Sequence, residues 1–225
     1  MKKNGYKIVS VQNILDAAAG KAQLPDKGAL LTFDDGYQSF YTRVFPVLKK
    51  HHYPATVALV GAWMDGSAAA DEPGKTLLNW DQVREMVQSG LVEVASHSYD
   101  LHKSVIANPY ANTQAAVTRL YDDLMLVYET DEEYRERIHT ALLKSAEFIF
   151  QHAGVRPRAM VWPYGEYNQI TVQASREAGM PMTMGLMDGF ITVADISALR
   201  RLTSYRVACR QASAGSASGY GLSLR

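Results

Sequence analysis

Asp34 and Asp35 stand side by side in the run Leu30-Leu31-Thr32-Phe33-Asp34-Asp35-Gly36, where apolar residues stop on two carboxylates and a glycine. Such a pair can divide its work: one carboxylate holds a metal ion while its neighbour moves a proton. A second cluster follows in Ser96-His97-Ser98-Tyr99-Asp100-Leu101-His102. Two neutral imidazoles and one carboxylate form a three-ligand site with positions left open for water and substrate, and zinc, nickel, cobalt and iron all accept that donor set. His97 and His102 have the spacing His-x4-His, not the His-x3-His of a helix face, so an irregular turn must bring them together. Asp35 would complete the site if both strand ends lie at one rim, leaving Asp34 as the base. Taken singly, each cluster has a plainer reading. The Asp pair suits a solvated turn or a helix N-cap, His97 a satisfied core histidine and His102 an exposed one. Together, each after a β-like run, they favour the metal site.

Strands and helices must alternate to position these clusters, and the sequence carries that pattern. Short apolar or β-branched runs predict strands over residues 6–10, 29–33, 55–60, 91–96, 158–162 and 182–186. Helical spacing predicts a helix over 11–19 capped by Ser10, and another over 40–51 that starts late or kinks at Pro46, with Phe40, Val44, Val47 and Leu48 on one side. A capping signal at Asn79 and Gln82 opens a third helix that ends at Gly90. Residues 61–75 read as a loop. From 112 to about 152 the pattern reads as helix, broken near 130–133, with Leu120, Leu124 and Val127 as one stripe and Ile138, Leu142 and Ile149 as another. A last helix spans 170–178. This alternation predicts a parallel sheet flanked by helices. Parallel strands put their carboxyl ends at one rim. The strands are too few for a closed eight-stranded barrel, so the expected fold is α/β, a distorted or incomplete (β/α) barrel.

The totals bound the function. The chain has 225 residues, 47% of them hydrophobic, enough for one domain with a core. Its 23 basic and 23 acidic residues balance, which gives no overall electrostatic argument for nucleic acid. One cysteine, Cys209, rules out an intrachain disulfide and a multi-cysteine zinc site. Met1-Lys2-Lys3 opens like a signal peptide, but Asn4-Gly5-Tyr6-Lys7 stands where an apolar segment belongs, so no signal peptide is expected in this chain. Residues 1–205 are expected to form the catalytic domain, shortened at both ends. Residues 206–225, with the small-residue stretch 211–221, are expected to be a disordered or aberrant tail. His51 and His52 read as surface residues, and Met180, Met182, Met184 and Met187 as core filling.

Thr32-Phe33-Asp34-Asp35-Gly36, Ser96-His97-Ser98-Tyr99-Asp100-Leu101-His102 and Trp162-Pro163-Tyr164-Gly165, in that order, resemble the polysaccharide deacetylase family (the NodB-homology domain, carbohydrate esterase family 4). The similarity runs from about residue 4 to about 200 and is strongest to the branch that acts on poly-N-acetylglucosamine. The resemblance implies metal-dependent removal of N-acetyl groups from poly-β-1,6-N-acetyl-D-glucosamine, a biofilm polysaccharide. It implies Asp34 as catalytic base, Asp35, His97 and His102 as ligands of one divalent metal ion, and a Tyr164 backbone donor for the oxyanion, with Pro163 and Gly165 shaping the turn. Of the three tryptophans, Trp162 borders that turn and is the candidate for stacking on a sugar ring; Trp80 reads as core. The resemblance further implies a periplasmic or outer-membrane-associated protein that meets an outer-membrane polysaccharide export porin. Two departures stand out. Many relatives use a late histidine as general acid, and this sequence has none after His152. Val161-Trp162 also replaces the Arg-rich approach to the Pro-Tyr-Gly turn. The alternative readings are a degenerate glycan-binding module, or a deacetylase of another N-acetylated glycan such as peptidoglycan or chitin oligomers.

Overall fold

A computed structural model describes residues 5–186; Met187, Cys209 and the stretch 206–225 lie outside them. β1 (Lys7–Val9) leads into α1 (Val11–Ala18), which Ser10 caps by the reciprocal bonds with Asn13 that define a capping box. β2 (Gly28–Leu30) and β3 (Thr32–Phe33) follow. The single strand expected over 29–33 is divided at Leu31. There the chain stops pairing with β1, and the Leu31 carbonyl accepts a hydrogen bond from Thr56 N–H at 2.8 Å. One π-helical turn, Phe40–Val44, hands over to α2 (Phe45–His51), with Pro46 in the first turn, where its missing N–H is not needed. Val47, expected on the buried side, is exposed, and Phe45 is buried instead.

β4 (Ala55–Leu59), the single turn α3 (Gly61–Met64), α4 (Trp80–Gln88) and β5 (Val92–Ser96) come next. The predicted capping box of Asn79 and Gln82 opens α4. The helix expected from residue 112 does not form until residue 131. In its place are two hairpins, β6 (Ser104–Asn108) with β7 (Ala111–Gln114) and β8 (Tyr121–Asp122) with β9 (Val127–Tyr128). Asx turns compete with helix here. Asn108 Oδ1 accepts from the Tyr110 and Ala111 N–H groups, and Asp122 Oδ1 from those of Leu124 and Met125. Leu124 is 88% exposed, so the stripe of Leu120, Leu124 and Val127 is no core face. Helix α5 (Asp131–Ala153), capped by Thr130 and Glu133, ends on Gly154 in the left-handed conformation. β10 (Ala159–Val161), a 3-10 turn at Pro163–Gly165, α6 (Gln169–Glu177) and β11 (Met182–Met184) complete the described chain.

The strands β11-β10-β5-β4-β3 form a parallel sheet in that order, and the parallel pair β1-β2 continues it past Leu31 as a curled half-barrel. Alternate residues serve its two faces. Ala58, Ala95, Val161 and Met184 pack with Val11 and Ile14 of α1. Val57, Leu59 and Val94 pack against Phe45, Met86 and Ile149 of the flanking helices. Because the strands are parallel, the segments that follow β3, β5 and β10 all leave at one rim, and these carry Asp34-Asp35, His97 and the 162–165 turn. A cavity of about 460 Å³ opens beside the amino ends of β4, β5 and β10, lined by Ser10, Gln12, Glu93 and Arg158, away from that rim. Among the described residues no helix is long and apolar enough to cross a membrane.

Candidate metal centre

Three tight turns deliver the rim residues, and each has a non-glycine residue at positive φ. After β3, Asp35 takes φ 73° and the Gly36 N–H donates to the Asp34 carbonyl at 2.9 Å, a γ-turn that reverses the chain within three residues. Gly36 is itself at φ 73°, and a Cβ there would come within 2.7 Å of Leu59 Cδ2. After β5, Ser98 takes φ 70°; its Oγ accepts from Leu101 N–H and its own N–H donates to Ser96 Oγ, both at 3.0 Å. This is the irregular corner that His-x4-His requires, and it returns His102 to the rim. After β10, Tyr164 takes φ 56° inside the Pro-Tyr-Gly turn. A Cβ on Gly165 would meet Leu186 at about 2.5 Å, so the turn lies hard against the segment beyond β11. Strain of this kind concentrates where a scaffold fixes side chains for chemistry.

Asp35, His97 and His102 each turn one ligand atom to a common point, all within 4.8 Å of one another. Asp35 Oδ1 lies 3.5 Å from His97 Nε2 and 3.6 Å from His102 Nε2. These separations are long for hydrogen bonds, and they match the spacing of about 3.4 Å between ligands that sit about 2.1 Å from a tetrahedral ion. The residues therefore fit a divalent metal ion. His97 is buried, and its Nδ1 lies 2.7 Å from the Val161 carbonyl oxygen. The carbonyl can only accept, so Nδ1 carries the proton and Nε2 keeps the lone pair a metal needs. At His102, Nδ1 is 3.1 Å from Asp71 Oδ2, an ion-pair distance at an angle outside that of a hydrogen bond. Burial pushes the His102 imidazole's pKa down, against the opposing charges of Asp71 and Asp34, and so favours the neutral ligand form.

The other predicted residues divide. Asp34 stands next to the cluster, close enough for its charge to act on His102. Tyr164 is 38% exposed at the rim, with its ring centroid 4.5 Å from that of His102 and its hydroxyl donating to Asp71 Oδ2 at 3.3 Å. Burial, then the Asp71 and Asp35 charges, raise the Tyr164 pKa and keep it protonated. Pro163 is buried and shapes the turn. Trp162 corrects the expectation placed on it: the side chain is 0% exposed and packs with Ile138, Leu142 and Met160, so it presents no face to a sugar. Period-2 alternation is the reason. Met160 and Trp162 share the side packed against α5 and α6, while Ala159 and Val161 face α1 on the other. Trp63 lies nearer the centre, 4.6 Å from His102 between ring centroids, but it is buried too. Sequence reasoning missed Asp71. Its one available signal was its place in a long connection after a strand's carboxyl end, where functional loops gather.

The polysaccharide deacetylase family model matches residues 21–183. The poly-beta-1,6-N-acetyl-D-glucosamine N-deacetylase of Escherichia coli (strain K12) is 39% identical over 210 residues, 90% of this chain and 31% of its own length, so the chain spans about a third of that relative. Among solved structures, a de-N-acetylase from Aggregatibacter actinomycetemcomitans superposes with a TM-score of 0.81 at 39% identity, covering 89% of this chain and 79% of that one. The BpsB deacetylase domain from Bordetella bronchiseptica gives 0.80 at 41% identity, covering 89% and 80%. The curled sheet is thus the same incomplete (β/α) barrel as in those two proteins.

Proposed function

The chain belongs to the polysaccharide deacetylase family, and from that premise we propose that it is a metal-dependent N-deacetylase of poly-β-1,6-N-acetyl-D-glucosamine. The observation that carries this reading is the convergence of Asp35, His97 and His102 on one point at ligand spacing, beside Asp34. The relatives named for that activity supply the substrate class. A divalent ion held by these three residues would supply Lewis acidity, making water more acidic and polarising the acetyl carbonyl.

The chain's own groups do the rest. Asp34 accepts the proton of the attacking water. The Tyr164 backbone N–H shares the negative charge that develops on the acetyl oxygen, and one such donor is worth about 3 kcal/mol. The amide C–N bond then breaks, and the departing amine takes a proton. Asp34, protonated in the first step, stands at the same rim to return it. That route needs no late histidine. Two imidazoles and a carboxylate accept zinc, cobalt, nickel or iron, and reconstitution with each in turn identifies the most active. Residues 1–205 as the catalytic unit, a periplasmic location and association with an export porin rest on the family resemblance.

Acetate release from a β-1,6-linked N-acetylglucosamine oligomer, before and after chelation and metal return, tests the proposal. Release that stops on chelation and resumes with metal supports it. Glycan binding without any release favours the binding-module reading.

A further inference from the structure

The two imidazoles of the centre are held differently. His97 Nδ1 faces the Val161 carbonyl, part of the sheet. His102 Nδ1 faces a carboxylate, Asp71 Oδ2, at 3.1 Å. Asp71 is 31 positions upstream in the connection between β4 and α4, and its side chain is 49% exposed. That connection is tied down at several points. Ala68 N–H donates to the Ala62 carbonyl at 2.8 Å, Ser67 N–H to Asp65 Oδ1 at 2.8 Å, and Tyr99 OH to Asp65 Oδ2. The Asp71 carboxylate also accepts from Tyr164 OH, which stands on the third rim turn with its ring against His102. One acid therefore joins the β4–α4 connection to the segments after β5 and β10.

We propose that Asp71 is a positioning residue: from its ion-pair distance of 3.1 Å, a small rotation of its half-exposed carboxylate lets it accept the Nδ1 proton of His102 when the ion binds, which fixes the ring with Nε2 turned to the metal and raises its basicity as a ligand. Carboxylate–histidine–metal relays work this way, and loss of the outer partner typically weakens metal binding 10- to 100-fold. The arrangement makes affinity for the ion depend on where the β4–α4 connection sits, whereas the His97 side is fixed by the sheet. The inference rests on the reading of Asp35, His97 and His102 as the metal ligands.

Calorimetric titration of zinc into the metal-stripped full chain tests it, comparing the wild type with Asp71→Ala, Asp71→Asn and His102→Ala. The expected result is one ion bound by the wild type and binding weakened about 10- to 100-fold in Asp71→Ala, with an unchanged melting temperature for the metal-free protein. Asp71→Asn falls between, because an amide oxygen still accepts the Nδ1 proton. If Asp71→Ala binds zinc within about twofold of the wild type while His102→Ala does not, the positioning role is overturned and the centre survives. If the wild type binds no zinc, the metal reading itself fails and takes this proposal with it. A role confined to loop packing would shift melting temperatures equally in Ala and Asn variants and leave affinity alone, which also overturns it.

Discussion

His97 Nδ1 and the Val161 carbonyl oxygen lie 2.7 Å apart across the boundary between β5 and β10, inside the protein. The contact couples sheet geometry to ligand chemistry. Two parallel neighbours must keep their register, with Met160 opposite Ser96, for the carbonyl to reach the ring. The ring's other nitrogen then faces Asp35. His97→Ala removes a proposed ligand and leaves a buried acceptor unpaired. It is expected to lower metal affinity at least 100-fold and stability by about 1–3 kcal/mol, read by zinc titration and urea unfolding.

Asp34→Asn separates the proposed base from the proposed ligands. The variant is expected to bind metal as the wild type does and to lose acetate release by about 100- to 10,000-fold, the span of a general base. Equal turnover in both proteins removes Asp34 from the proposed chemistry.

Gly36→Ala tests the γ-turn. A Cβ 2.7 Å from Leu59 Cδ2, at a backbone φ of 73°, cannot be accommodated without moving the Asp34-Asp35 turn. A loss of about 1–3 kcal/mol in urea unfolding is expected, with weakened metal binding.

Trp162 gives a prediction opposite to the one its motif suggests. Trp162→Ala is expected to cost about 3–5 kcal/mol of stability, as for other buried aromatics. Trp162→Phe, which keeps most of the packing, is expected to leave the KM for glycan unchanged. A large rise in KM with normal stability would instead mean that the indole meets sugar.

The hairpin segment has its own pH dependence. Arg137 bonds the Ala115 and Thr118 carbonyls and grips the Glu129 carboxylate at 2.8 and 2.9 Å, joining the hairpins to α5. Burial alone would raise the pKa of Glu129; hydrogen bonds from Arg137 and Leu120 N–H and the guanidinium charge outweigh it and hold the carboxyl below its ordinary value. A carboxyl with a depressed folded-state pKa stabilises the fold above its unfolded value of about 4.3 and loses that contribution as pH falls through the folded-state value. Glu129→Gln is therefore expected to cost about 2 kcal/mol at pH 7 and markedly less at pH 3, measured by urea midpoints at the two pH values.

The sequence disclosed most of the sheet and the three residues that converge at its rim, because both obey strong local rules. Apolar runs that end on Asp-Asp-Gly, Ser-His and Pro-Tyr-Gly mark strand ends, and parallel strands share a rim. It disclosed less where local chemistry and spacing disagree. Leu120, Leu124 and Val127 have helical spacing, yet the Asx turn at Asp122 and the clamp of Arg137 on Glu129 decide the segment, and the second of these depends on tertiary contact. The side of β10 that Trp162 occupies was readable from period-2 alternation with Val161; its nearness to the turn motif masked that. The contact of Asp71 with His102 had no local signature, because it exists only once the β4–α4 connection crosses the rim.

The central claim is that Asp35, His97 and His102 hold one cation. X-ray absorption at the zinc edge of the zinc-loaded chain measures it most directly. The account predicts one ion per chain with two imidazole nitrogens and a carboxylate oxygen in its first shell, at about 2.0–2.2 Å. A first shell without imidazole, or a spectrum unchanged when both histidines are replaced by alanine, would contradict it.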